Sequence, residues 1–217
     1  VRGVVVETGE VYHCRAVILA SGTYLRGRII IGECVKQSGP DGLAAAVPLA
    51  ERLRALGLEM RRFKTGTPPR LDAKTIDFSK MEVQPSEKGD EKFSFWDKAL
   101  TPELPQAARR ELPCHMVYTT DETAAVVRAH LYESPMYRGI IKGIGTRYCP
   151  SFEDKVVRFP DHPHHLLYLE PEGALSGEYY LNGLSTSLPI AVQREMVRSI
   201  PGLEKARIMR YAYAIEY

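Results

Sequence analysis

The spacing of apolar residues along this chain changes several times, and each change marks an element. Val4 to Val6 and Val11 to His13 flank Glu7–Glu10, where Gly9 supplies a turn, so the pattern predicts a β-hairpin. The unbroken apolar run Ala16 to Ala20, closed by Ser21 and Gly22, predicts a buried parallel strand. Another strand is expected within Tyr24 to Ile31. Leu49, Leu53 and Leu56 recur at helical spacing inside Leu43 to Leu56, with Pro48 near the first turn and Gly57 as the stop. Residues 58–63 then read as a strand that delivers Lys64 to Arg70 as a loop, because Pro68 and Pro69 forbid regular helix or central strand.

Periodicity is weak from about Asp72 to Pro113, a polar, proline-punctuated excursion carrying Phe93 to Trp96. Cys114 to Thr119 reads as a short strand. Asp121 to Tyr132 is amphipathic, with Thr120 or Asp121 as N-cap and Pro135 beyond its end. Gly139 to Pro150 is a glycine-rich loop. Residues 164–173 and 178–185 resemble two strands joined by a glycine-containing turn. Ser187 is expected to cap a helix from about Pro189 to Ile200, and 206–217 to return as a strand. No internal repeat or low-complexity tract interrupts this mixed α/β pattern.

Composition narrows the class without changing the fold. The 217 residues are 44% hydrophobic and 26% charged, which is ordinary for a globular chain with a substantial core. The net charge of +2 does not by itself indicate nucleic-acid binding, so an RNA partner would need a local patch. Four widely spaced cysteines without a Cys-x-x-Cys pair, and no secretory or membrane-length apolar run, predict free thiols and a cytoplasmic protein with no membrane association. The chain starts at Val1 and stops within a strand-like run, which leads us to expect an excerpt of a longer protein.

The most reactive-looking stretch is Gly143 to Lys155. Pro150 biases Cys149 toward an extended backbone, and Ser151 with Asp154 forms a capping pattern for a following helical turn. A thiol beside a helix N-terminus and Arg147 is expected to ionise more readily, whereas Glu153 and Asp154 oppose that. An incidental loop cysteine is the competing reading. Lys64 to Arg70 offers two cations, two hydroxyls and free amides around Gly66, suited to a phosphate or a cofactor edge, though it lacks P-loop spacing. It reads equally as a rigid turn. Asp161, His162, His164 and His165 are too tightly spaced and proline-interrupted for a zinc site, so no metal is expected. Phe93 to Trp96 reads as packing rather than base stacking, and the Arg61-Arg62 and Arg109-Arg110 pairs as solvated surface.

Six segments nevertheless resemble one family: VILASGTYLRGRIIIG, KTGTPPRLDAKTIDFS, SPMYRGIIKGIGTRYCPSFEDKVVRF, LEPEG, NGLSTSLP and YAIEY. In this order they are similar to the MnmG (GidA) tRNA uridine-5-carboxymethylaminomethyl modification enzymes, across essentially the whole chain. The resemblance implies α/β architecture that is part of a glutathione-reductase-like FAD/NAD(P)-binding fold with an inserted mixed α/β domain. Residues 1–23 would end the FAD-binding domain, 24–200 would form the inserted region, and 201–217 would return toward the FAD-binding domain. Its implied activity is FAD- and NADH-dependent modification of the tRNA wobble uridine at C5, with methylenetetrahydrofolate as one-carbon donor. Its implied partners are tRNA, the GTPase MnmE and a second copy in a homodimer, and the isolated excerpt is expected to be inactive.

The same resemblance implies site residues. Cys149 and Arg147 are the catalytic candidates, with Cys149 either a nucleophile at uridine C6 or an acid–base group. Gly22, Thr23, Lys64, Thr65, Gly66 and Thr67 are expected cofactor contacts. The stretch 145–159 is associated with NADH: Gly145, Thr146, Arg147, Tyr148, Cys149, Pro150, Ser151 and Phe152, continuing through Glu153, Asp154, Lys155, Val156, Val157, Arg158 and Phe159. Ser38, Pro40 and Ala46 depart from the family pattern, which carries a Gly-Gly-Arg segment and a serine there. The alternative readings are a folate- and FAD-dependent tRNA uracil-5-methyltransferase and a non-catalytic binding fragment.

Overall fold

A computed structural model describes residues 1–85, 112–145, 150–162 and 164–217. Phe93 to Trp96, Arg109-Arg110 and the segment Thr146 to Cys149 lie outside the described residues. Among the described residues no helix is long and apolar enough to cross a membrane.

The N-terminal hairpin forms as its pattern predicts, from β1 (Gly3–Val5) and β2 (Val11–His13), in antiparallel register about Val4 and Tyr12. The next expectation is overturned. Ala16 to Ala20 forms no strand and is exposed, with Ile18 at 92%. A parallel strand needs partners on its edges and cover on its faces, and the described residues supply neither.

Two further sheets organise the rest. The five-stranded sheet has the order β4-β3-β13-β5-β9, from β3 (Arg28–Ile31), β4 (Cys34–Gln37), β5 (Phe63–Thr67), β9 (Ile144–Gly145) and β13 (Tyr213–Glu216). All its pairings are antiparallel except β5 with β9, which is parallel and sets Lys64 opposite Gly145. The six-stranded antiparallel sheet has the order β12-β6-β11-β10-β8-β7. It comprises β6 (Arg70–Asp72), β7 (Glu82–Gln84), β8 (Cys114–Tyr118), β10 (Leu166–Pro171), β11 (Glu178–Asn182) and β12 (Ile208–Arg210).

Two strand boundaries differ from expectation. Residues 58–62 are not a strand. Phe63–Thr67 is the strand and Pro68-Pro69 the break, after which the chain enters the other sheet as β6. The C-terminal run likewise divides at Tyr211-Ala212 into β12 and β13, each joining a different sheet.

The helices are shorter than their apolar patterns. α1 spans Val47–Ala55 with Pro48 in its first turn, starting four residues later than expected from Leu43. α2 (Asp121–Ala129) begins at a reciprocal cap, in which Thr120 accepts from the Thr123 amide and Thr123 from the Thr120 amide. α3 (Phe152–Arg158) is capped by Ser151 as its pattern predicts. α4 (Ile190–Arg198) has Pro189 at its N-cap; Ser187 lies two residues before that position and its hydroxyl faces Glu153, so it does not cap the helix.

The main core lies where α2, α3 and α4 cover the six-stranded sheet. Leu71, Val117, Leu167, Leu169 and Leu181 project from strands against Ala124, Val127, Phe152, Val156 and Met196 from helices. Alternation along β10 buries Leu167 and Leu169 while their neighbours are only partly covered. A second, smaller cluster of Ile30, Ile141 and Ala214 lies against the five-stranded sheet.

A polar tie spans that second sheet. Glu216 is fully buried at the end of β13, accepts from the backbone amides of Lys142 and Gly143, and pairs with the Arg28 guanidinium from β3. Arg62 Nη2 stands 3.7 Å away. Gly143 permits this approach, because a Cβ there would lie 2.8 Å from the backbone of Phe63. Burial alone would raise the Glu216 pKa, but the Gly143 amide and Arg28 outweigh it and hold the carboxyl below its usual range. Its stabilising contribution is therefore present above the ordinary glutamate pKa and lost as pH falls through the depressed one. In the full-length protein, Glu216→Gln is expected to destabilise this region by about 3 kcal/mol. Differential scanning calorimetry should show a midpoint lowered by several degrees at neutral pH; an unchanged midpoint would reject the tie.

Candidate active site

β5 carries the polar residues of the central site. Successive side chains on a strand point to opposite faces, so Phe63 and Lys64 serve different clefts. Lys64 is only 5% exposed and, with Gly66, Ser151, Ser185, Thr186, Ser187 and Tyr213, lines a narrow polar cleft with room for about one water molecule. Thr67 accepts a hydrogen bond from Arg70, whose guanidinium lies 4.6 Å over the Tyr180 ring.

α3 is docked on this cleft by its backbone and by a buried acid. The Phe152 amide donates to the Ser185 carbonyl at 2.6 Å, and Lys155 Nζ donates to the Gly183 carbonyl at 3.0 Å. Gly183 has φ 100°, and a Cβ there would strike Leu167 at 2.8 Å, so glycine is required. Glu153 is fully buried; its Oε1 accepts from the Ser187 amide at 3.1 Å, and among the described residues its Oε2 has no hydrogen-bond partner. Burial pushes its pKa up, opposed by its own amide, the Ser187 amide, the Thr186 hydroxyl and the charge of Lys64. A carboxyl in this setting holds a proton more firmly than an exposed glutamate.

The structure divides the residues singled out from sequence. Lys64, Gly66 and Ser151 share the polar cleft, and Gly145 lies beside Lys64 through β5–β9 pairing. Thr65 and Thr67 are on the same strand. Phe152 and Val156 are buried in the main core with Glu153 behind the cleft, and Pro150, Asp154 and Lys155 are half-buried. Val157, Arg158 and Phe159 are exposed on the far side of α3. Gly22 lines a different cleft with Ser21, Arg62 and Phe63, and Thr23 follows it, half-buried. Thr146, Arg147, Tyr148 and Cys149 lie outside the described residues, between Gly145 and Pro150. Cys14, Cys34 and Cys114 carry free thiols. Glu216, Arg28 and Ser185–Ser187 lie in segments that carry the family resemblance, but no site role was expected for them; the signal for Glu216 was a carboxylate embedded among apolar residues of a strand.

Together these features define a mixed α/β protein with two polar clefts about one strand and an internal acid beside a buried lysine. Comparison with known proteins makes the assignment specific: the model of the family described as glucose inhibited division protein A matches residues 1–217, and the chain belongs to that family. It is 50% identical over 216 residues to the tRNA uridine 5-carboxymethylaminomethyl modification enzyme MnmG of Geobacillus kaustophilus, covering 100% of this chain and 33% of that protein. The MnmG of Exiguobacterium sibiricum is 52% identical over 215 residues, again covering 33% of its length. The Aquifex aeolicus GidA structure in the form I crystal superposes with a TM-score of 0.84 at 46% identity, covering 99% of this chain and 36% of that one. The chain thus spans about a third of the length of the curated relatives it matches, and its mixed α/β fold is that of the solved GidA structures.

Glu153 supplies a test of the buried acid. Its folded-state pKa lies above the unfolded value, so its favourable contribution is complete below the unfolded pKa and erodes as pH rises toward the folded one. Relative to Glu153→Gln, the wild-type full-length protein is expected to lose stability between pH 4.5 and pH 8, the reference pKa being 4.5. Parallel thermal melts at the two pH values would show the difference, and a constant gap would reject the internal acid.

Proposed function

We propose that the protein to which this chain belongs modifies the wobble uridine of tRNA at C5, using FAD, NADH and methylenetetrahydrofolate, in a cytoplasmic homodimer partnered by the GTPase MnmE. The observation that carries this reading is family membership over the whole chain, supported by relatives named for that modification. The Lys64 cleft has room for a single small polar group, to which Lys64, three serines and Thr186 offer hydrogen-bond donors, so it would meet one polar atom of a cofactor and not its ring. A bound flavin would supply reducing equivalents from NADH and carry the one-carbon unit.

This chain's own residues would do the rest. Uridine C5 is a weak nucleophile. Addition of a thiolate to C6 places negative charge on the C4 oxygen and makes C5 nucleophilic; C5 then bonds to the electrophilic one-carbon unit, and loss of the C5 proton with expulsion of the thiolate from C6 restores the ring. Cys149 is the proposed thiolate, and Arg147, two residues earlier, favours its ionised form. Gly145 and Ser151 both lie beside Lys64, which supports a role for the segment joining them at this cleft. Glu153, held by the Ser187 amide and hydroxyl, would be a buried carboxyl backing this cleft that keeps its proton more firmly than an exposed glutamate.

In the full-length protein, Cys149→Ser is expected to lower wobble-uridine modification by at least ~10²-fold while leaving flavin absorbance intact. Nucleoside mass spectrometry of tRNA from a complemented deletion strain would read the first, and the visible spectrum the second. Wild-type modification by Cys149→Ser would reject the nucleophile, and purification of the full-length protein without flavin would reject the flavoenzyme.

A further inference from the structure

The second cleft, of about 300 Å³, lies at the Phe63 end of β5 and is basic. Arg26, Arg54, Arg61 and Arg62 line it against a single acid, Glu59, so its local charge exceeds the +2 of the whole chain. Glu59 is committed to Arg61 at 2.8 Å. Arg62 donates through Nη1 to the Arg26 carbonyl at 3.0 Å and leans through Nη2 toward Glu216. Among the described residues, the Arg26 and Arg54 guanidinium groups have no ion pair or hydrogen bond.

Three sequence-distant segments build this convergence. Arg26 follows Leu25, which bridges to Ala46, and it adopts φ 49°, a left-handed conformation that a non-glycine residue rarely holds. Its amide donates to the Ala46 carbonyl at 3.2 Å and its carbonyl receives Arg62, so the backbone is held in that conformation from both sides. Arg54 comes from the last turn of α1. The remaining wall is apolar and aromatic: Leu25, Met60, Phe63 and Tyr217, the two rings 6.2 Å apart and tilted by 36°. Arg62 shows that the cleft's cations are under electrostatic load. Burial lowers its pKa, Glu216 opposes this, and Arg28 and Arg26 lower it further. Like charges held together beside exposed aromatic carbon are relieved by a ligand combining negative charge with flat apolar faces.

We propose that this cleft binds an RNA strand, with Arg26 and Arg54 on successive phosphates and the Phe63–Tyr217 wall against an unpaired base. The inference rests on the reading that the protein acts on tRNA, and it assigns the contact to a face distinct from the Lys64 cleft. The test uses full-length protein and a fluorescein-labelled anticodon stem-loop RNA, with anisotropy titrations across a potassium chloride series. The variant is Arg26→Gly with Arg54→Ala, chosen because glycine suits the left-handed backbone and alanine the helix. Lys36→Ala with Lys205→Ala removes the same charge elsewhere.

The cleft variant is expected to bind roughly tenfold more weakly than wild type and to show a salt slope shallower by about 0.7–0.9 per lost phosphate contact. The charge control should match wild type, and both variants should keep wild-type melting midpoints. Equal affinity and slope in cleft variant and wild type, or an equal loss in the control, would overturn the cleft as an RNA site. Intact RNA binding with weakened NADH binding would assign the arginines to a dinucleotide's phosphates and overturn it too. A wild-type protein that does not bind the RNA would overturn the proposed function itself.

Discussion

The buried carboxylate of Glu216 holds the five-stranded sheet to the chain that leads into the candidate active site. It gathers two backbone amides, from Lys142 and Gly143, and the Arg28 guanidinium, with Arg62 close by. A carboxylate without exposure is tolerable only when its lone pairs are met by donors and its charge by cations. The donors come from β3 and from the 142–143 turn, with the Arg62 charge just before β5, so the segments cannot move independently without leaving a charge unpaired. The turn continues directly into β9, and β9 sets Gly145 beside Lys64. The position of the candidate site thus depends on one side chain near the C-terminus.

Around that tie the two faces of β5 acquire different chemistry. On one, Lys64, Ser151 and the Ser185–Ser187 hydroxyls enclose a small polar space with Glu153 behind it. On the other, Phe63 and Tyr217 form an aromatic wall under four arginines. The first is narrow, deeply backed and suited to holding protons and small polar groups. The second is wider and open, and it concentrates positive charge. A strand alternates its side chains by construction, so placing Phe63 next to Lys64 in sequence is enough to separate the two environments in space. The α2–α3–α4 layer over the six-stranded sheet then supplies the rigid body on which α3 presents Ser151 and Glu153.

Much of this was legible locally. The hairpin, the Thr120 and Ser151 caps, the paired strands β10 and β11 and the stop at Gly57 follow from turn chemistry and periodicity acting over a few residues. Where the expectation missed, a distant partner decided. Lys64 to Thr67 became a strand because β13 and β9 flank it, and Ser187 does not cap α4 because the helix starts after Pro189 and the serine hydroxyl faces Glu153, thirty-four positions away. Ala16 to Ala20 has the composition of a buried strand but meets no partner among the described residues, and apolar composition cannot create one. Lys64 and Gly66 were picked out by their residue types, whereas the hydroxyls of Ser185–Ser187 that complete their cleft were not.

The sequence by itself determined family membership and many of the element types, because long idiosyncratic motifs and short-range caps are properties of neighbouring residues. Only the tertiary structure decided that Glu216 would serve as an internal anchor, that Glu153 would be buried behind a lysine-lined cleft, and that four arginines from three separate segments would line one cleft at the Phe63 end of β5. Burial and charge proximity are set by which distant strands pair. The sheet order β4-β3-β13-β5-β9 brings residue 216 between residues 28 and 64, a neighbourhood that no local window of the chain contains.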